Sequence, residues 1–200
     1  MAKENYNLFS LFDESINQDQ SKPILILEDG TEYNYAKINS ISSQIASYFM
    51  DSGILPGERI SVQVDKSPES LCLYLACLRA GLTYHPLNPD YTESELEFFI
   101  CNAEPSLIVC SDEKIESFKS LARANNISHV YTLNHDGKGT LISVPTDEGS
   151  VWQVVLRSDR GRHGRGGAAN EFVTKFWLLK RRLARESHIA RSKNLSKPNM

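Results

Sequence analysis

The sequence lacks any long hydrophobic run, and this absence argues against a membrane-spanning helix. Its longest apolar stretch lies at residues 71–78, far short of the roughly 20 residues that a membrane-spanning helix needs. The first 16 residues carry neither a basic start with a long apolar stretch nor an Arg-rich, acid-poor amphipathic pattern. We therefore expect no signal or transit peptide, and we expect a soluble, cytoplasmic protein.

Cysteine and histidine are too sparse to indicate a metal site. The four cysteines form no C-x-x-C pair; they are Cys72, Cys77, Cys101 and Cys110. A helix over residues 71–80 would separate Cys72 and Cys77 by about 140° around its axis, so the two thiols could not share one metal ion. We expect buried, reduced thiols, with a disulfide or a reactive thiol as the alternative. The histidines occur singly, at His85, His129, His135, His163 and His188.

Tryptophan is absent from the first 150 residues, and basic residues are scarce there. Residues 1–150 contain 10 Lys+Arg, 22 Asp+Glu and all four cysteines, whereas residues 151–200 contain 12 Lys+Arg, 3 Asp+Glu and both tryptophans. The overall charge of −3 therefore combines an acidic part with a basic one. Such asymmetry predicts two separate parts, an α/β part at about 1–146 and a basic tail at 147–200.

Strand-like and helix-like segments alternate along the acidic part and predict an α/β fold. Runs of β-forming or apolar residues predict strands at 24–27, 31–35, 59–64, 83–87, 107–110 and 129–132, with Asp29-Gly30 as a hairpin turn. Helical spacing and cap signals predict helices at 36–52, 68–80, 92–102 and 115–125. This order indicates an open, mostly parallel sheet with flanking helices.

Three of these segments also predict the extent of burial. Residues 59–64 alternate apolar Ile60, Val62 and Val64 with polar Ser61 and Gln63, which predicts a strand with unequal faces. Residues 107–110 show no polar alternation and predict a strand covered on both faces. The helix after Pro68 is apolar nearly all round, so we expect it to be buried on most sides.

Several consecutive motifs carry a family resemblance. They read PGERISVQVDKSPES at residues 56–70, LYLACLRAG at 73–81, YHPLNPDYT at 84–92 and NAEPSLIVC at 102–110. In this order they closely resemble the N-terminal portion of AMP-forming acyl-CoA synthetases of the adenylate-forming superfamily. The resemblance covers about residues 8–145 and is greatest to malonyl-CoA synthetases.

The resemblance implies a two-step reaction in fatty acid metabolism. Intact members activate a carboxylate with ATP and Mg²⁺ to an acyl-adenylate, release pyrophosphate, and transfer the acyl group to coenzyme A. It also implies that later strands complete the sheet, so the segments at 71–78 and 107–110 should leave apolar surface and a sheet edge uncovered.

The chain departs from the family pattern after residue 150. A Thr-Ser-Gly-Thr-Thr-Gly-like loop followed by Lys should come soon after the linker at 137–150, but residues 151–156 read VWQVVL and no such loop occurs in the 200 residues. The downstream acidic Mg²⁺ ligand, ribose-binding Asp and catalytic Lys are also missing. We therefore assign no catalytic, cofactor-binding or metal residue, expect no cofactor for this fragment, and expect that it lacks the ligase activity.

Three features within residues 8–145, which resemble the family, could have a functional role. Lys66-Ser67-Pro68 could form an anion site at a helix N-terminus, but we favour an ordinary capped helix start. Glu93, Glu95 and Glu97 could act as paired acid and base, but their place in the first turns of a helix favours solvated residues. His85 lies at a strand end, where ligands often bind in α/β proteins, yet no partner motif accompanies it.

The basic tail leaves several interpretations open. Residues 161–167 are Gly/Arg-rich without a phosphate-loop ending, and residues 171–186 could form a basic amphipathic helix in an otherwise disordered or marginally helical tail. The abrupt change in composition favours an out-of-frame or fused segment. The alternatives are a diverged domain, or a non-enzymatic binding protein whose tail contacts nucleic acid, an anionic membrane or an acidic partner.

Overall fold

The computed structural model describes residues 7–16 and 19–143, which form an α/β fold. Our predictions for the tail, 147–200, lie outside the described residues. The helices are α1 (Leu8–Ile16), α2 (Tyr35–Asp51), α3 (Pro68–Ala80), α4 (Glu93–Ala103) and α5 (Ile115–Ala124), with a 3₁₀ turn at Asp112–Lys114. The strands are β1 (Pro23–Ile26), β2 (Glu32–Asn34), β3 (Arg59–Gln63), β4 (Thr83–Pro86), β5 (Leu107–Cys110) and β6 (His129–Thr132).

The strands form two separate sheets. β1 and β2 make the predicted antiparallel hairpin, in which Gly30 adopts φ +81° in the turn. The other four strands are all parallel and lie in the order β4-β3-β5-β6. The prediction of an open, parallel sheet is therefore confirmed.

Each face of the parallel sheet has its own hydrophobic core. Ile60, Val62, Leu107 and Val109 pack in one cluster with residues of α2 and α3. Ile108 and Cys110 pack in the other cluster with residues of α4 and α5. The sheet therefore forms the middle layer between two layers of helices.

Local cap chemistry fixes the bounds of α3 and α4. Ser67 and Ser70 form a capping box at the start of α3, and Gly81 ends that helix with φ +68°. Thr92 and Glu95 form the capping box that starts α4. Both starts were predicted from the sequence and both are confirmed.

Burial differs from the sequence predictions in two places. β3 was expected to have unequal faces, but Ser61 and Gln63 on its polar side are 0% and 2% exposed, because helices cover both faces of the sheet. The expectation that 107–110 would leave a sheet edge uncovered is wrong: β5 is an inner strand and all four of its residues are buried. Of the residues whose burial the structure describes, the exposed large apolar ones are Leu8, Leu11, Ile26, Phe98 and Ile142.

The N-terminal helix α1 was not predicted. Its Phe9 is buried, and the Arg79 guanidinium lies 4.1 Å from the centre of the Phe9 ring. Just before the helix, Asn7 Nδ2 donates to the Leu78 carbonyl at the end of α3. α1 therefore depends on contacts with a helix about 70 residues away in the sequence.

Candidate functional site

The carboxyl edge of the parallel sheet is the first place to search for a ligand site. β3 has β4 on one side and β5 on the other. The connection after β3 therefore leads to one side of it, and the connection after β4 leads back to its other side. In open α/β sheets, ligands bind outside the carboxyl ends of the strands at such a switch point. Here that crevice lies beyond Gln63 of β3 and Cys110 of β5.

Side chains of the protein itself form hydrogen bonds across this crevice. Lys114 Nζ donates to Gln63 Oε1 at 3.1 Å and to the Pro89 carbonyl at 2.5 Å. Gln63 Nε2 donates to the Asn88 carbonyl at 2.6 Å. A charged donor and a buried amide thus join the last residue of β3 to the segments that follow β4 and β5, and we call these contacts the Lys114 tie.

A second polar contact joins the ends of β5 and β6. Asn134 Nδ2 donates to Asp112 Oδ2 at 2.6 Å, and the Asp112 backbone N–H donates to Asn134 Oδ1 at 2.9 Å. Hydrogen bonds from the Thr132 and Asn134 side chains lower the pKa of the exposed Asp112 carboxyl. We call this pair the Asp112–Asn134 tie.

The start of α3 does not offer an open anion site. The Ser67 and Ser70 hydroxyls accept hydrogen bonds from each other's backbone N–H groups, at 3.0 and 2.9 Å. The Glu69 carboxylate lies in the same turn and accepts a hydrogen bond from the Tyr33 hydroxyl at 2.8 Å. A negative group of the chain therefore already stands at this positive helix end, which favours the capped helix start over an anion site at Lys66-Ser67-Pro68.

The chain after β6 passes close to Glu69. A Cβ atom on Gly137 would lie 2.6 Å from Glu69 Cδ, and one on Gly139 would lie 2.2 Å from the Thr132 carbonyl oxygen. Both glycines have positive φ, at +76° and +146°. The positive φ favours glycine at both positions, and at Gly139 the close approach of the Thr132 backbone requires it as well, whereas at Gly137 the neighbour is the end of the Glu69 side chain, which can move.

His85 contacts a buried serine. Its Nδ1 lies 2.9 Å from Ser61 Oγ across the β3–β4 pair. Burial, followed by the nearby Arg59 charge, lowers the pKa of His85 and favours the neutral ring. Because Ser61 is completely buried, this pair is suited to holding the two strands together, and it does not expose a nucleophile.

The glutamates of α4 do not form an acid–base pair. Glu93, Glu95 and Glu97 are all exposed. Hydrogen bonds from the backbone N–H and the hydroxyl of Thr92 lower the pKa of Glu95, which acts as a helix cap.

All four cysteines are free. Cys72, Cys77 and Cys110 are buried, and burial raises the pKa of each thiol to about 12. Cys101 is exposed, so our expectation of burial is wrong for this residue: it lies on the outer side of α4. Within residues 7–16 and 19–143, no group of three or more His, Cys, Asp or Glu side chains is arranged to hold a metal ion.

Sequence reasoning missed the two ties. Their members are polar residues at or just after the ends of β3, β5 and β6, which is the signal that could have identified them. Among the residues that the structure describes, 7–16 and 19–143, no helix combines the length and apolar content that a membrane span requires.

Comparisons with known proteins agree with this fold. The model of the family described as AMP-binding enzyme matches residues 12–164. The apo and ATP-bound crystal structures of MatB from Rhodopseudomonas palustris each align with a TM-score of 0.65 and 36% identity, over 69% of this chain and 27% of theirs.

Curated relatives include both peptide synthases and CoA ligases. Surfactin synthase subunit 2 of Bacillus subtilis is 27% identical over 69% of this chain and 4% of its own length. The probable CoA ligase CCL9 of Humulus lupulus is 25% identical over 76% of this chain and 29% of its own. The oxalate–CoA ligase of Arabidopsis thaliana is 30% identical over 58% of this chain and 23% of its own. This chain thus spans less than a third of each relative.

Proposed function

Because the chain belongs to the family of AMP-binding enzymes, we propose that it forms the N-terminal part of an acid–CoA ligase that acts through an acyl-adenylate. The observation that carries this proposal is the 36% identity and shared fold with MatB, which is known in an ATP-bound form. The CoA ligases among the curated relatives also support it. In the proposed reaction, ATP and Mg²⁺ activate the acid with release of pyrophosphate, and the acyl group then passes to the thiol of CoA.

We propose malonate as the acid. The sequence motifs resemble those of malonyl-CoA synthetases, and MatB is a malonyl-CoA synthetase. The oxalate–CoA ligase among the relatives also uses a short dicarboxylate, at 30% identity over 118 residues. Malonate and oxalate are therefore the two acids to compare, with acetate as the acid that lacks the second carboxylate.

In this proposal the described residues act as scaffold. At the switch point Lys114 already bonds to Gln63 and Pro89, and the Glu69 carboxylate lies in the first turn of α3. ATP, Mg²⁺ and CoA would thus need groups from elsewhere in an intact enzyme. We propose that the 200-residue chain alone does not form the acyl-adenylate.

A chimera tests the proposal directly. Residues 19–143 would replace the matching segment of MatB, and intact MatB would be the control. We expect malonate-dependent AMP release from the chimera; because the rest of the chimera comes from MatB, this release tests whether residues 19–143 can serve as the N-terminal part of such a ligase, and not which acid the parent enzyme uses. The 200-residue chain, given ATP, Mg²⁺, CoA and malonate, should release no pyrophosphate above a heat-killed sample.

Two results would contradict the proposal. A chimera that melts cooperatively but releases no AMP with any acid would show that these residues cannot serve as the N-terminal part of such a ligase. Pyrophosphate release by the 200-residue chain would show that the chain carries its own catalytic groups.

The origin of residues 147–200 needs a separate test. We propose that this segment is out of frame or fused, as its composition suggests, although the family match runs to residue 164. Sequencing the gene and transcript across codon 150 should reveal a Thr-Ser-Gly-Thr-Thr-Gly-like loop and Lys in another frame. If no frame encodes that loop, the segment belongs to the protein and its binding to nucleic acid or anionic lipid becomes the hypothesis to test.

We also propose that the protein acts in the cytoplasm. All four cysteines are free thiols, and reduced thiols persist in the cytosol. Fractionation of cells with an antibody to the chain would test this location, and recovery in a secreted fraction would contradict it.

A further inference from the structure

A hydrogen-bonded pair of tyrosines lies where the last turn of α2 meets β6. Tyr48 and Tyr131 are 83 residues apart in the sequence, and the Tyr48 hydroxyl donates to the Tyr131 hydroxyl at 2.6 Å. Their rings meet edge to face, with centroids 5.3 Å apart and planes at 77°. Both side chains are half-buried, so the two rings are held in contact while part of each stays accessible to solvent.

A histidine beside the pair can accept a proton. The Tyr131 hydroxyl lies 3.4 Å from His129 Nδ1, and the planes of these two rings are within 17° of parallel. In the neutral tautomer that carries its proton on Nε2, Nδ1 is an acceptor. The hydrogen bonds therefore run from Tyr48 through Tyr131 to His129, and we call these three side chains the Tyr48–Tyr131–His129 chain.

This arrangement favours the loss of one electron from Tyr131. A phenol gives up an electron readily only when its proton leaves at the same time, because the cation radical formed otherwise is a strong acid. Burial, followed by the hydrogen bond with Tyr48, raises the pKa of Tyr131 to about 12, so at neutral pH the phenol keeps its proton. His129 offers that proton an acceptor within the protein, and the phenoxyl radical left on Tyr131 lies against the Tyr48 ring.

A second tyrosine pair shows what is particular to the first. Tyr74 and Tyr84 are also half-buried, and their ring centroids are also 5.3 Å apart, with planes at 87°. Burial raises the pKa of Tyr84 to about 12 as well. In the part of the chain that the structure describes, however, no hydrogen bond joins these two hydroxyls and no histidine ring stacks on either tyrosine. We propose that Tyr48 and Tyr131 form a site of oxidative cross-linking, which a peroxidase and hydrogen peroxide convert to dityrosine.

The reaction balances with hydrogen peroxide as the oxidant. Each phenol loses one electron and its hydroxyl proton, and the two phenoxyl radicals form a C–C bond between ring carbons ortho to oxygen. The hydrogen on each of these carbons then moves to the ring oxygen, which restores two phenols. Peroxide takes up the two electrons and two protons and becomes two molecules of water.

Oxidation of the full 200-residue chain with a peroxidase and hydrogen peroxide tests the proposal. The protein is kept dilute, and the monomer is isolated by gel filtration before digestion and mass spectrometry, so that links between molecules are excluded. We expect a peptide that joins residues 48 and 131 and is lighter than its two parts by two hydrogen atoms. A peptide that joins residues 74 and 84 should be absent, and a sample oxidised in denaturant should lose the preference.

Three variants separate ring contact from hydrogen bonding. Tyr48→Phe keeps the ring but cannot form a phenoxyl radical, so the link between residues 48 and 131 should be lost. Tyr74→Phe is the matched control and should leave this link unchanged. His129→Phe keeps an aromatic ring beside Tyr131 without the proton acceptor, and it should slow formation of the link severalfold.

Three results would overturn the proposal: no link between residues 48 and 131 in the folded chain, an equal yield of the link between residues 74 and 84, or an equal yield from the denatured chain. An unchanged rate in His129→Phe would refute the role of the Tyr48–Tyr131–His129 chain in the oxidation. Each variant would first be compared with the parent chain by its amide spectrum, so that a change in folding is not mistaken for loss of reactivity.

Discussion

The two edges of the parallel sheet differ in what fills them. At the carboxyl edge, the Lys114 tie and the Asp112–Asn134 tie join the end of β3 to the segments that follow β4, β5 and β6. At the amino edge, the ends of α2, α4 and α5 surround a cavity of about 290 Å³. One edge is closed by contacts within the chain, whereas the other remains open.

This difference separates the role of topology from that of side chains. The order β4-β3-β5-β6 places a switch point at the carboxyl edge, where a ligand would ordinarily be expected. A single lysine and a buried glutamine convert that place into a structural junction. Substitutions at the carboxyl edge should therefore reduce stability, whereas a substitution that relieves backbone strain at the amino edge can increase it.

The largest loss is expected from Gly139→Ala, in the segment after β6. The new Cβ would meet the Thr132 carbonyl oxygen at 2.2 Å, and that oxygen accepts the Leu141 backbone N–H. Steric overlap and a positive φ should together lower the free energy of unfolding by about 2–4 kcal/mol, which denaturant titration would measure.

Gly30→Ala is the matched control for Gly139→Ala. Gly30 also has positive φ, at +81°, but no atom lies within 4 Å of a Cβ built there. Gly30→Ala should lower the free energy of unfolding by only about 1 kcal/mol, from backbone strain. Equal losses in the two variants would show that the close approach at Gly139 contributes nothing.

Lys114→Met should have the next largest effect. The substitution keeps a long side chain but leaves Gln63 Oε1 and the Pro89 carbonyl without their charged donor. We expect the free energy of unfolding to fall by about 1–3 kcal/mol in denaturant titration. Lys119→Met is the control: Lys119 makes only an exposed ion pair with Glu116, so it should lose less than about 0.5 kcal/mol. Similar losses would contradict a special role for the Lys114 tie.

Much of the fold follows from local chemistry in the sequence. The Ser67 and Thr92 caps, Gly81 and the apolar run of β5 each act within a few residues, so their structures could be predicted. The burial of Ser61 depends on helices that cover the second face of the sheet. Alternation along β3 alone could not reveal that second layer.

The candidate site was harder to predict because its contacts are distant in sequence. Lys114 and Gln63 are 51 residues apart, and the Asp112–Asn134 tie spans 22. The position of each residue near a strand end was visible, but the order of the strands was not. Family resemblance identified the fold without indicating that the switch point is closed by Lys114.

The Asp112–Asn134 tie should make the free energy of unfolding depend on pH. The pKa of Asp112 is lowered from 3.8 in the folded state, so the tie stabilises the fold above about pH 4 and weakens as pH falls through the lowered pKa. In Asp112→Asn, the free energy of unfolding should therefore fall less steeply as the pH drops below 5. Glu113→Gln, which removes a carboxylate outside the tie at the next position, is the control, and a parallel change in both variants would refute the assignment.

The smallest effect, of opposite sign, is expected at the amino edge. Glu104 ends α4 with φ +46°, a conformation in which a side chain is strained and glycine is not. Glu104→Gly should raise the free energy of unfolding by up to about 1 kcal/mol, because the Glu104 carboxylate makes no hydrogen bond or ion pair with a residue in the described ranges that would oppose the gain. Glu104→Ala separates the two causes: it also removes the carboxylate but keeps the strain, so it should not stabilise. If Glu104→Ala were as stabilising as Glu104→Gly, relief of charge repulsion at the helix end would be the cause.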